Sequence, residues 1–151
     1  MADYTDIEVE IEDPVGVLRI NRPEKLNAFT YHTLAEIQRG VDELVADRRV
    51  VGIVITGTGR AFSAGLDSQA LVDVTAAEAS QPGSRSGAPG PQIPGLFTNL
   101  LAVPKPVVAA VNGVAFAGGW MIAQGCDLCV ASTNAKFAIT EVKVGRGSPW
   151  A

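Results

Sequence analysis

The chain is poor in the side chains that most often carry chemistry. Among 151 residues there is one histidine, His32, and there are two cysteines, Cys126 and Cys129. The cysteines form a single CxxC with no second pair and no nearby histidine, so a zinc site lacks ligands and a redox motif lacks its strand-to-helix setting. Both thiols are expected to be buried, in a reducing compartment. Positive charge is also short: 12 lysines and arginines stand against 16 acidic residues, a net charge of -4. That balance argues against a nucleic-acid or anionic-membrane partner. Any polyanionic ligand must then be met by local positive charge or by backbone dipoles. The opening MADYTDIEVEIED is acidic and has no apolar core of signal-peptide type, so a cytoplasmic location is expected.

Charge is missing altogether between Lys105 and Asp127. A hydropathy window would flag a membrane span there. The stretch has no leucine, holds Asn112 and Gln124, and is broken at Gly113, Gly118 and Gly119. It suits a buried strand, a loop and a helix better than one continuous helix, and no membrane partner is expected.

What is present is a globular composition, 47% hydrophobic. At this length roughly two thirds of the unfolded surface can be buried, so residues 1–151 read as a single domain. IEVEI and VGVLRI flank Asp13-Pro14 as an antiparallel hairpin. Leu34, Ile37, Val41, Leu44 and Val45 recur at helical spacing after Thr30, a candidate N-cap, which predicts a helix from Thr30 to about Asp47. VVGIVITG is a continuous run rich in branched residues, the pattern of a strand covered on both faces. Strand, helix and buried strand imply a crossover and a parallel sheet.

Residues 73–94 shift to Ala, Ser, Gly, Pro and Gln, and a mobile loop is expected there. A short helix over Pro94–Val103 and a second buried strand, VVAAV, follow. Next comes NGVAFAGGWMIAQGC, read as a glycine turn leading into a helix. DLCVAS and KFAIT are further strands. Two buried strands thus each lead to a turn containing Ala and Gly with a helix behind it. Both turns belong at one edge of a parallel sheet, where ligands bind.

Five segments, NRPEKLNAF (Asn21 to Phe29), GRAFSAGLD (Gly59 to Asp67), KPVVAAVNGVAFAGG (Lys105 to Gly119), CDLCVAS and KFAITEVKVG (Lys136 to Gly145), resemble in order and spacing the enoyl-CoA hydratase/isomerase superfamily, the crotonases. The resemblance implies an α/β fold, the crotonase (ClpP-like) spiral of β-β-α turns, and an acyl-CoA thioester as substrate, with no cofactor beyond its CoA moiety and no metal. It also implies an oxyanion hole of two backbone N–H groups, assigned on the motif to Ala64 and Gly118. CoA is expected against Lys25, Leu26, Ala28, Ala64, Gly65, Leu66 and Asp67, with Arg22 and Lys25 supplying positive charge. The likeness covers only about the first half of a typical family chain. The C-terminal helical part is therefore expected to be missing, and with it the elements that help to build a homotrimer or homohexamer.

Reactions beside a thioester carbonyl pass through an enolate-like state, and two N–H donors at the carbonyl oxygen lower that barrier. Hydratases of this family carry two glutamates; here Met121 holds the first position and Glu141 the second. Ala117 stands where many relatives have a third glycine. Met121 moves no proton, so a water held between two carboxylates is not expected, whereas Glu141 alone suffices to carry a proton between carbons. Double-bond isomerisation is thus favoured, with a hydratase of non-standard acid/base set or a decayed CoA-thioester binding subunit as alternatives. His32 is expected at the surface, Ser63 lacks a histidine partner for a nucleophilic role, and Trp120 is expected in the acyl-pocket wall or the core.

Overall fold

The computed structural model describes residues 3–70, 72 and 96–144. Residues 73–94, the expected mobile loop, lie outside the described residues. In chain order the elements are β1 (Ile7–Glu12), β2 (Val15–Ile20), a 3-10 turn (Pro23–Lys25), α1 (Tyr31–Ala46), β3 (Gly52–Gly57), β4 (Ala61–Ser63), α2 (Leu96–Leu101), β5 (Val107–Val111), β6 (Val114–Phe116), α3 (Gly118–Gln124), β7 (Leu128–Ala131), β8 (Lys136–Ala138) and a second 3-10 turn (Glu141–Val144).

β1 and β2 form the expected hairpin, with Ile7 opposite Ile20 and Glu12 opposite Val15. α1 starts where the sequence places it. The Thr30 hydroxyl accepts the Thr33 N–H while the Thr33 hydroxyl accepts the Thr30 N–H, a reciprocal cap that satisfies donors at the start of the helix. Its Leu34, Ile37, Val41 and Leu44 are buried, each removing enough apolar surface from water for about 1.5–3 kcal/mol. The far end is capped from a distance: Lys105 Nζ donates to the carbonyls of Leu44 at 3.0 Å and Asp47 at 2.7 Å, placing positive charge at the negative end of the helix dipole.

One sheet has the order β1-β2-β3-β5-β7, every pairing after the hairpin parallel. A second sheet, β4-β6-β8, is parallel throughout. Here the structure departs from the sequence reading, in which each buried strand runs straight to its glycine turn. β3 and β5 instead break and resume as β4 and β6 in the other sheet. The backbones pass so closely at the break that a Cβ on Gly113 would lie 2.0 Å from the Arg60 carbonyl oxygen. The Asn112 amide pins the crossing, donating to the carbonyls of Gly59 at 2.8 Å and Ala61 at 3.2 Å and accepting the Gly57 N–H at 3.3 Å. The result is a repeated strand–strand–helix winding.

The CxxC reading is corrected in part. Cys126 is buried, and burial, then Asp127 and Cys129, push its thiol up to about 12, which disfavours the thiolate form. Cys129 is exposed on β7, the edge strand, beside Leu128 and Val130, which are 63% and 64% exposed. Phe137, Ile139 and Val142 are further exposed apolar side chains. Among the described residues no helix is long and apolar enough to cross a membrane, and no cluster of three metal-ligating side chains occurs.

His32 is at the surface, as expected. Its Nε2 lies 3.1 Å from Glu36 and 2.9 Å from the Thr5 hydroxyl. Glu36 itself is buried and accepts the N–H groups of Thr5 at 3.0 Å and Asp6 at 2.8 Å, tying the N-terminal segment to α1. Burial works to raise the pKa of Glu36, but the Asp6 and Thr5 N–H groups and His32 outweigh it and hold the carboxyl below its ordinary value. A depressed folded-state pKa gives stability that is complete above the unfolded value, about 4.3, and is lost as pH falls through the lower folded one. Glu36→Gln is therefore expected to cost about 2 kcal/mol at pH 7 and to flatten the acid limb of a stability–pH curve measured by urea unfolding.

Candidate active site

The three short parallel strands aim their C-terminal ends at one place. Ser63 of β4 pairs with Ala115 of β6, and Phe116 of β6 with Ala138 of β8. Beyond those ends lie Ala64–Asp67, Ala117–Gly118 and Ile139–Glu141, so one sheet edge carries every candidate for chemistry. The C-terminal edge of a parallel sheet is where ligands bind.

In the first turn the structure corrects the sequence assignment. The Ala64 N–H donates to the Leu26 carbonyl at 3.0 Å and is not available to an oxyanion. Gly65 follows with φ +93, a conformation that L side chains rarely adopt. Its carbonyl accepts the Phe29 N–H at 2.9 Å, and the Asp67 N–H returns to the Phe29 carbonyl at 2.9 Å. In a planar trans peptide the Leu66 N–H points opposite to the Gly65 carbonyl, away from the Phe29 backbone. Among the described residues it has no hydrogen-bond partner.

The second turn leaves a matching donor. Ala117 has φ 49 and ψ -124, a sparsely populated region for a residue with a Cβ. Its own N–H is held by the Ala138 carbonyl at 2.8 Å. Its ψ aims the next peptide, whose N–H belongs to Gly118 and is likewise without a partner among the described residues. The two turns touch: a Cβ on Gly65 would lie 2.9 Å from the Phe116 carbonyl oxygen and 3.2 Å from Gly118 N. The free amides of Leu66 and Gly118 are thus carried by backbones in direct contact. Glycine at 118 has a packing cause, since a Cβ there would lie 2.4 Å from Phe29 Cζ.

The residues expected around CoA are brought together. Leu26 and Asn27 both take positive φ, at 52 and 55, and the tight turn they make binds to the Ala64–Asp67 turn through Leu26–Ala64 and Phe29–Gly65. Asn27, unnoticed in sequence, is fully buried and joins the parts. Its amide donates to the Thr58 carbonyl at 2.9 Å and the Ala61 carbonyl at 2.7 Å, and accepts the Arg22 N–H at 2.9 Å. Arg22 is engaged, with Asp6 and Asp67 each 3.7 Å away and the Ala28 carbonyl as a further acceptor. Lys25 is exposed, and no ion pair within the described residues involves it. Local positive charge for a phosphate therefore falls to Lys25 more than to Arg22. Asp67 acts as a turn residue, accepting the Gln69 N–H at 3.0 Å.

On the third strand end, Glu141 opens the second 3-10 turn, and its Oε2 is buried without a hydrogen-bond partner among the described residues. The alternative for Glu141 in the sequence is a solvated carboxylate paired with Lys143 or Arg146; no pair with Lys143 occurs among the described residues, and Arg146 lies outside them. Met121 and Trp120, partly buried on α3, pack against the core, and Trp120 sits edge-on to Phe137 with ring centroids 4.6 Å apart. Ser63 is fully buried and donates its hydroxyl proton to the Asn27 carbonyl at 2.8 Å, so it is no nucleophile.

A sequence model of the family described as enoyl-CoA hydratase/isomerase matches residues 10–150. The chain belongs to the enoyl-CoA hydratase/isomerase family. It is 37% identical over 144 residues to a short-chain-enoyl-CoA hydratase of Clostridium acetobutylicum, covering 95% of this chain and 52% of that protein. It is 40% identical over 143 residues to a crotonyl-CoA hydratase of Syntrophomonas wolfei, with 94% and 52% covered. The crystal structure of an enoyl-CoA hydratase subunit I from Geobacillus kaustophilus superimposes with a TM-score of 0.80 at 33% identity, over 97% of this chain and 54% of that one. The strand–strand–helix winding is the crotonase fold, and the chain spans about half the length of the curated relatives it matches.

The strain at Ala117 gives a test of the turn in this family member. Ala117→Gly removes the Cβ from an unfavourable conformation and is expected to stabilise by about 1 kcal/mol, raising the thermal midpoint by about 3 °C in calorimetry.

Proposed function

We propose that this family member acts on an acyl-CoA thioester whose carbonyl oxygen is held by the N–H groups of Leu66 and Gly118, with Glu141 as the single proton carrier. The observation that carries the reading is the pair of unpartnered amides on touching turns, at the sheet edge where Glu141 presents a buried, unsatisfied carboxyl oxygen. CoA would lie along Lys25, Leu26, Ala28, Ala64, Gly65, Leu66 and Asp67, which the hydrogen bonds between the two turns bring side by side. No cofactor beyond the CoA moiety is proposed, and assembly into a homotrimer or homohexamer is proposed on family likeness alone.

As the α-proton leaves, negative charge develops on the thioester oxygen. Each fixed donor there contributes about 3–4 kcal/mol to lowering the barrier. Glu141 takes the proton from C2 of a 3-enoyl thioester and returns it to C4, so the double bond moves to C2–C3 and no water is consumed. Met121 occupies the place where a second carboxylate would hold water, and a thioether neither takes nor gives a proton. This favours isomerisation. The names of the relatives favour a second reading, hydration with a non-standard acid/base set.

The full-length protein, offered 3-enoyl-CoA and 2-enoyl-CoA separately, distinguishes them. Isomerisation is expected to dominate and to fall by about 100- to 10,000-fold in Glu141→Gln. Dominant hydration, indifferent to Glu141→Gln, would overturn the proton-carrier role. Conversion of neither substrate, with acetoacetyl-CoA still bound, would point to the binding-subunit alternative. In the same assay Met121→Glu is expected to raise hydration of 2-enoyl-CoA; no gain would show that the pocket is shaped against a held water.

A further inference from the structure

Between the two oxyanion turns sits a buried hydroxyl that the chemistry above does not use. Ser63, the last residue of β4, donates its proton to the Asn27 carbonyl at 2.8 Å, which turns its lone pairs toward the Gly65 N–H, accepted at 3.2 Å. The same residue supports the second turn: a Cβ on Gly119 would lie 2.3 Å from the Ser63 carbonyl oxygen and 2.8 Å from its Cβ.

We infer that Ser63 is a positioning residue, whose hydroxyl sets the direction of the Leu66 N–H by immobilising the glycine before it. Gly65 is the residue freest to rotate, so the aim of the following amide depends on restraints from outside. There are two. The Phe29 N–H holds the peptide after Gly65, and the Ser63 hydroxyl holds the peptide before it. With both in place neither dihedral of Gly65 can drift. Removing the hydroxyl frees one side while leaving volume, fold and the CoA-facing residues in place. The serine then matters to the reaction through geometry alone, which separates it from a nucleophile and from a merely space-filling side chain.

This inference rests on the proposed oxyanion hole, and the experiment separates the two. Full-length wild type and Ser63→Ala are loaded with butanoyl-CoA, a saturated thioester with no double bond to move, and the carbonyl stretch is read by isotope-edited infrared difference spectroscopy. Wild type is expected to lower the stretch relative to the free thioester, and Ser63→Ala to return it part of the way, with affinity for butanoyl-CoA within about twofold. In turnover, Ser63→Ala is expected to lower kcat by about 10- to 100-fold with KM little changed. A wild-type-like stretch and kcat in Ser63→Ala would overturn the positioning role while leaving the oxyanion hole standing. An unshifted stretch in wild type would overturn the hole itself, and the role of Ser63 with it. Should Ser63→Ala not fold, Ser63→Cys, which keeps the side-chain shape with a bulkier and only weakly hydrogen-bonding sulfur, is read the same way, with intermediate values expected.

Discussion

Two backbone turns in contact, with no side chain on Gly65 or Gly118 to hold them apart, hold the centre of this molecule. Gly65 lies against Phe116, Ala117 and Gly118, and Gly118 lies against the ring of Phe29. The strands that deliver these turns are only three residues long, too short to fix their ends by ladder bonds alone. Side-chain amides reinforce them. Asn27 and Asn112 approach from different loops and both donate to the Ala61 carbonyl, at 2.7 and 3.2 Å. A carbonyl with two lone pairs accepts both, and the crossing between the two sheets becomes a rigid corner. The neighbouring N–H groups of Ala64, Gly65, Asp67 and Ala117 are all bonded, so among the described residues the free amides of Leu66 and Gly118 stand out.

Much of this was legible in the chain. The hairpin, α1 with its Thr30 cap and the parallel strands follow from hydrophobic period and capping chemistry, and the five motif segments identified the family. The break of each long strand into two sheets was not legible, because an apolar run keeps its pattern through a bend and only the Arg60–Gly113 approach shows it. Nor was the amide that the first turn leaves free. Side-chain identity says that a turn such as AGLD exposes amides; which amide is already bonded depends on Leu26, far away in sequence. Asn27 went unnoticed for a related reason. A polar residue in a loop reads as solvated until the structure shows its amide enclosed by Thr58, Ala61 and Arg22.

The scarcity of positive charge also finds its explanation. An arginine near the site, Arg22, is neutralised between Asp6 and Asp67, so it serves to lock the turn. A neutral amide pair can stabilise a developing anion without the desolvation cost of a buried cation, and it needs no counter-ion when the site is empty. The acidic balance of the chain and an anionic intermediate are then compatible. In the proposed reaction the charge that acts is partial and fixed in the main chain where the two turns meet.

The edge strand β7 has a different kind of consequence. Its sequence LCVA carries no lysine, proline or inward-facing charge, and no bulge twists it away from solvent. Those are the devices by which exposed strands avoid adding neighbours. A strand so unprotected is an invitation to further pairing, and its water-facing apolar side chains make such pairing downhill. Among the described residues nothing covers that edge, so the main chain of β7 stays open to hydrogen-bond one more strand.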